Sequence, residues 1–232
     1  QQATYNILCD PKFQDALLPP IIQRWIALQG DTNIFPLFEA ITQWTNFIGH
    51  TQHFQQNYLK QIFQTCLNIS VELKNECRDY NEYKKTVRNN DTEYTLNGRD
   101  DNEPEKPNKE FWVCSLDLLA VLVEKCNPTI RHLIWNEKMD NGGFYYQKLL
   151  EMLYCSICET HFNVRRNGLA LLGDIITEHP SDMKHHINKF LKIVIANLNY
   201  DWQTVCTNAS WVIGQSLMKY GPNNGGGGGG DD

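Results

Sequence analysis

The sequence has no apolar run approaching the roughly 20 residues that cross a bilayer; stretches such as Leu118 to Val123 are far too short. It also lacks an initiator Met, a charged leader and an apolar signal core, so a chain beginning at Gln1 is expected to be an excised piece. Basic charge is not in excess. Twenty-one Lys and Arg face 27 Asp and Glu, for a net charge of −6 and a pI near 5.6, a balance that repels nucleic acid and favours basic partners. The eight cysteines lie mostly in apolar helical stretches and form no dense framework of the kind that staples small secreted domains, so they read as reduced thiols of a cytosolic protein.

Motifs for chemistry are missing as well. There is no phosphate loop, nucleotide fingerprint or serine-nucleophile elbow, and the chain reads as a non-enzyme with no cofactor and no metal. The segment Cys155-Ser156-Ile157-Cys158-Glu159-Thr160-His161 has the spacing of three zinc ligands but no identifiable fourth, and its thiols read as packing residues of an apolar helix. Asp117 and Glu124 could be imagined as a general-acid pair, but two helical turns separate them by about 10 Å. Glycosylation sequons begin at Asn68, Asn90 and Asn208, and a cytosolic location makes them irrelevant.

What is present is helical periodicity, almost without pause. Apolar spacing predicts helices at about 12–29, 33–49, 54–75, 109–126, 144–160, 162–179, 183–198 and 201–219. Gly30-Asp31-Thr32, Asn127-Pro128, His179-Pro180-Ser181-Asp182 and Gly221-Pro222 supply the stops and caps. Residues 76–109 are crowded with Asn, Asp, Glu and Lys and read as a long, mobile connection; 127–143 reads as an irregular insert, a short helix through Ile130 to Trp135 and then a turn at Asn141-Gly142-Gly143. The Gly-rich, acidic stretch 222–232 reads as a disordered tail.

Internal repetition is the most informative feature. Val164-Arg165-Arg166-Asn167-Gly168-Leu169-Ala170-Leu171-Leu172-Gly173 aligns with Val205-Cys206-Thr207-Asn208-Ala209-Ser210-Trp211-Val212-Ile213-Gly214 at an offset of 205 − 164 = 41 residues. Paired-helix solenoids of the HEAT and armadillo type repeat at roughly 40–47 residues. The expected fold is therefore all-α: a HEAT-repeat solenoid over 1–221, about four stacked hairpins with no single globular centre. Small residues at Gly168 and Ala209 would let helices approach closely. The second helices of the hairpins, beginning near 33, 109, 162 and 201, are the candidates for the concave wall.

At 100° per residue, Val205, Ala209, Val212, Ile213 and Leu217 share one side of the last helix, and Trp211 falls on the other with Thr204, Asn208 and Gln215. Helix 109–126 buries Phe111, Leu118, Leu119 and Leu122 and turns Asp117 and Glu124 outward; helix 162–179 directs Asp174 away from Val164, Leu171, Leu172 and Ile175. In helix 33–49 the expected core stripe is Leu37, Ile41, Trp44 and Ile48, opposite Glu39, Thr42 and Asn46. An acid on a solvated face says nothing alone. Together, Glu39, Asp117, Glu124 and Asp174 come from three successive wall helices and Trp211 from the fourth, an acidic track ending in an aromatic platform. Such a surface suits a flexible basic segment carrying an apolar group.

At these residues the sequence resembles the transportin, or karyopherin-β2, branch of nuclear import receptors. The phrases that carry the resemblance are Leu17-Leu18-Pro19-Pro20-Ile21-Ile22-Gln23-Arg24-Trp25, Phe35-Pro36-Leu37-Phe38-Glu39, Leu116-Asp117-Leu118-Leu119, Leu169-Ala170-Leu171-Leu172-Gly173-Asp174 and the run Val205 to Gly214, in family order over nearly all of 10–220. The resemblance implies a HEAT superhelix that binds proline-tyrosine-type nuclear localisation signals of cargo and releases them to Ran-GTP. It implies that Trp211 grips the apolar part of the signal, that Asp117, Glu124 and Asp174, with Glu39, meet its basic part, and that Asn208 bonds its backbone. Ran-GTP would act through parts of the receptor outside this chain, nuclear pore proteins would be further partners, and the receptor would shuttle between cytoplasm and nucleus. Gln215 departs from the family pattern, in which an acid follows the Gly214 position. The rival reading is a HEAT scaffold subunit of the phosphatase or coat type, without signal binding.

Overall fold

The computed structural model of the chain describes residues 2–90 and 104–221. Twelve α-helices follow one another among them: α1 (Gln2–Cys9), α2 (Pro11–Ala27), α3 (Phe35–Ile48), α4 (Gln52–Asn57), α5 (Leu59–Asn90), α6 (Glu110–Lys125), α7 (Thr129–Asn136), α8 (Tyr145–Cys158), α9 (Phe162–Glu178), α10 (Pro180–Met183), α11 (Ile187–Ala196) and α12 (Gln203–Tyr220). No strand occurs among the described residues, only an isolated antiparallel bridge between Lys138 and Phe144. No helix among them is long and apolar enough to cross a membrane.

Local chemistry places the ends. Asp10 accepts from the Lys12 backbone N–H at 2.9 Å and Pro11 opens α2, where a missing N–H costs nothing. Gly30, at φ 86°, turns the chain from α2 towards α3, a backbone state that L side chains resist. Pro180 likewise opens α10, after His179 has closed α9.

The helices pair as α2/α3, α5/α6, α8/α9 and α11/α12, and the second members α3, α6, α9 and α12 lie side by side in chain order. The first members of the later pairs, α5, α8 and α11, form the opposite row and touch one another much less extensively. A stack whose one row is crowded and whose other is splayed curves towards the crowded side, so α3, α6, α9 and α12 form the inner wall. This is an all-α HEAT-repeat solenoid. Its apolar core is continuous from Leu18 in α2 to Val212 in α12, passed from hairpin to hairpin. Gly168 is one place where the rows meet closely, since a Cβ there would come within 2.8 Å of the Ser156 Cβ on α8.

Several sequence expectations are corrected. Residues 76–90 continue α5 and are not a loose connection; 91–103 lie outside the described residues. Apolar periodicity fades after Cys77, but no Gly or Pro occurs between Leu59 and Asn97, and a solvated helix needs propensity more than a stripe. The predicted helix 54–75 begins instead as α4, breaks at Tyr58 and resumes as α5. Helix α1 had no apolar period to announce it. In α3 the core face is Phe38, Ile41, Thr45 and Ile48, while Leu37 and Trp44 are only half-buried, and in α12 Ser216 is inside and Leu217 lies 65% exposed. The insert at 127–143 contains α7 and a turn at Gly142, and the tail 222–232 lies outside the described residues.

Candidate functional site

Each inner-wall helix presents to the groove the face opposite its buried stripe. On α3 this face carries Glu39, exposed, with its carboxylate accepting from the Gln43 side chain at 2.8 Å. On α6 it carries Asp117 and Glu124. Asp117 accepts from Asn167 Nδ2 of α9 at 2.6 Å; burial pushes its carboxyl upward, with Arg166 and that hydrogen bond pulling the other way. The charges of Glu39 and Asp117 both reach Cys114: its thiol is pushed up to about 11, by burial and then by Asp117, Glu110 and Glu39. Those carboxylates therefore share one stretch of the wall.

Further along, Asp174 of α9 is half-buried, and its carboxyl is raised to about 7 by burial, then by Glu124 of α6 and Glu178 of its own helix. Three carboxylates thus act on one spot, and among the described residues one of them has an ion-pair partner: Glu124 pairs with Lys125 at 2.5 Å. The Asn127 side chain donates to Glu178 at 3.4 Å. A group held near half-ionisation by burial, and then by like charges, gains from an incoming cation, which stabilises its ionised form as it binds.

Trp211 is 37% exposed on α12, with part of its ring set against Gly173 of α9, immediately before Asp174. A Cβ on Gly173 would lie 2.0 Å from indole Cζ3, so only glycine gives the ring this seat. The Gly173 carbonyl also accepts from Thr177 Oγ1 at 2.9 Å, and the single proton of that hydroxyl is shared with Gln215 Oε1 at 3.2 Å. Indole and hydroxyl are thereby set on either side of the Gly173 backbone across the α9/α12 seam.

The structure brings Glu124 and Asp174 together with Trp211 at one end of the track, and Glu39 with Asp117 nearer the other. Asn208 has a partner within the protein as well. Its Nδ2 donates to the Arg166 carbonyl of α9 at 2.9 Å, as Asn167 Nδ2 of the preceding repeat reaches back to α6, where the Val113 carbonyl lies at 3.5 Å. One of the two N–H groups of this amide joins the repeats, and the second N–H and the carbonyl oxygen remain for a ligand. Four residues escaped the sequence reading: Gly173 as a seat, Glu178 as a third carboxylate, Glu110, two turns before Asp117 and adding its charge there, and Arg166, whose cation partly offsets Asp117. Glu178 was findable, since it lies one turn after Asp174 on the same face.

No family model matches the chain. Among curated proteins it is 27% identical over 212 residues to transportin-1 of Homo sapiens, covering 91% of this chain and 20% of that protein. It is 27% identical over 215 residues to transportin-1 of Oryza sativa and 26% over 216 residues to transportin of Dictyostelium discoideum, covering 90% and 92% of this chain and 20% of each relative. The chain thus spans about a fifth of the length of the relatives it matches. These matches, carried along nearly the whole solenoid, relate it to a segment of the transportins in the karyopherin-β family.

Proposed function

We propose that the inner wall receives an extended basic protein segment with an apolar anchor, as part of a nuclear import receptor that recognises cargo localisation signals of the proline-tyrosine type. The observation that carries this reading is the Trp211 indole held on Gly173, next to the carboxylates of Asp174, Glu124 and Glu178. The exposed part of the ring offers apolar area at a fixed place, and the adjoining acids accept Lys or Arg side chains without having to move. Asp117 and Glu39 extend the track for a longer segment, with Arg166 weakening attraction at Asp117. The transportin relatives support this use, and Ran-GTP, pore proteins and shuttling between cytoplasm and nucleus belong to the same proposal for the longer receptor.

The test is titration of a labelled basic peptide ending in Pro-Tyr against the chain, Trp211→Ala and Asp174→Lys, at low and moderate salt. Binding is expected to weaken with salt and with either substitution, Trp211→Ala costing about 2 kcal/mol, roughly thirtyfold in affinity, if it is a central anchor. Equal binding by all three proteins would overturn the proposal.

A further inference from the structure

A groove lies outside the inner-wall set. Where α5 runs on beyond its pairing with α6, a cavity of about 530 Å³ opens between the α2–α3 turn, α5, Pro104–Asn108 and the first turn of α6. Its floor is apolar: Phe38, Leu73 and Phe111 line it, each at most 6% exposed. Its size is that of a side-chain or small-ligand pocket, too small for a folded partner.

The rim is acidic. Glu72 and Glu76 sit exposed one turn apart on α5, with Asp79 a turn further on and Glu105 facing from the other bank. Asp79 is satisfied by Arg78 at 3.1 Å, and Lys106 is the cation of the lining. Lys84 stands nearby, its ammonium 5.5 Å over the Tyr80 ring. Like charges at the spacing of Glu72 and Glu76 weaken a helix unless a cation comes between them.

We propose that this groove is a docking site for a partner-protein segment in which one aliphatic side chain is flanked by lysines or arginines. The aliphatic group seats on Leu73 and Phe111, and the cations bridge Glu72, Glu76 and Glu105. The site uses none of Glu39, Asp117, Glu124, Asp174 and Trp211 and stands whether or not the inner wall binds a localisation signal.

The probe is a nonapeptide with Lys and Arg on both sides of a photoreactive benzoylphenylalanine in the anchor position, a second peptide carrying Leu and a third Gly there. Irradiation with the intact chain is expected to give adducts at residues 69–80 or 104–111. Glu72→Lys/Glu76→Lys, folded as judged by circular dichroism, should lose those adducts and bind the Leu peptide about tenfold more weakly, whereas Asp140→Lys/Asp201→Lys, with the same change of charge elsewhere, should retain both. Adducts confined to α9 and α12, equal weakening by the two charge reversals, or equal binding of Leu and Gly peptides would each overturn the proposal.

Discussion

The Trp211 indole occupies the space that a side chain on Gly173 would need, with Cζ3 and Cε3 at 2.0 and 2.5 Å from the position of its Cβ. Gly173→Ala must therefore move the ring. In a helix interior alanine is otherwise favoured over glycine by about 0.5–1 kcal/mol, so the fold has no other reason to object. Gly173→Ala is expected to weaken a basic, apolar-anchored peptide nearly as much as Trp211→Ala. The double variant should bind no worse than Trp211→Ala alone, and should melt higher than it. Calorimetric titration and thermal melts of the four proteins check this cycle; additive losses in binding would show that the seat and the ring act separately.

Asp174 makes the wall sensitive to pH. Its carboxyl, raised to about 7 by burial and by Glu124 and Glu178, is mostly neutral at pH 6 and mostly ionised at pH 8. A cationic ligand prefers the ionised form, so affinity is expected to rise across that interval and a proton to be released on binding near neutrality. The release is read as a binding enthalpy that depends on the ionisation heat of the buffer. Stability runs the other way. The folded state holds a proton that an unfolded Asp near 3.8 has already given up, so stability falls as pH rises from about 4 to about 7. Asp174→Asn should flatten both profiles while lowering affinity at pH 8; retained slopes would assign them to another group.

How far the sequence led depends on the kind of signal. The solenoid was legible because the 41-residue offset between Val164–Gly173 and Val205–Gly214 is a register, and the same register places Asn167 and Asn208 at equivalent inter-repeat bonds. Outward placement of Asp117 and Glu124 followed from helical angle alone. Contacts between repeats did not follow. That Asn208 bonds the Arg166 carbonyl, that Trp211 sits on Gly173, and that the Arg166 charge reaches Asp117 depend on how far apart two helices pack, which periodicity within one helix does not contain. The second half of α5 was missed for a different reason, since a projecting helix has little buried stripe to read.

Arg165 clasps two connections together. Its Nε donates to the Glu159 carbonyl at 2.7 Å, one Nη to Asn197 Oδ1 at 2.9 Å and the other to the Cys158 carbonyl at 3.1 Å, and the guanidinium carbon lies 4.2 Å from the centroid of the Tyr200 ring. An ammonium keeps the charge but loses the planar fork. Arg165→Lys is expected to cost about 2 kcal/mol, which for a chain of this size lowers the melting temperature by roughly 4–8 °C. Amide exchange should quicken at 158–161 and 197–202 before it does elsewhere. Unchanged protection there would mean that the fork contributes nothing beyond its charge.

Asn208 joins α12 to α9 through a donor, and only a donor will serve. Its Nδ2 meets the Arg166 carbonyl at 2.9 Å, at a point where that oxygen is also the acceptor of a helical bond. Asn208→Ala removes one neutral hydrogen bond of a half-buried side chain, worth about 1 kcal/mol, or roughly 2–4 °C in melting temperature. Asn208→Asp keeps the shape but sets a carboxylate oxygen against the carbonyl, and is expected to destabilise more than alanine above pH 5 and to approach it once the carboxyl is protonated. If Asn208 acted chiefly on a ligand, both variants would melt with the parent and differ only in peptide affinity. Melts at pH 4 and pH 7, set beside titrations of the same proteins, separate the two roles, because a repeat joint registers in the empty protein and a ligand contact does not.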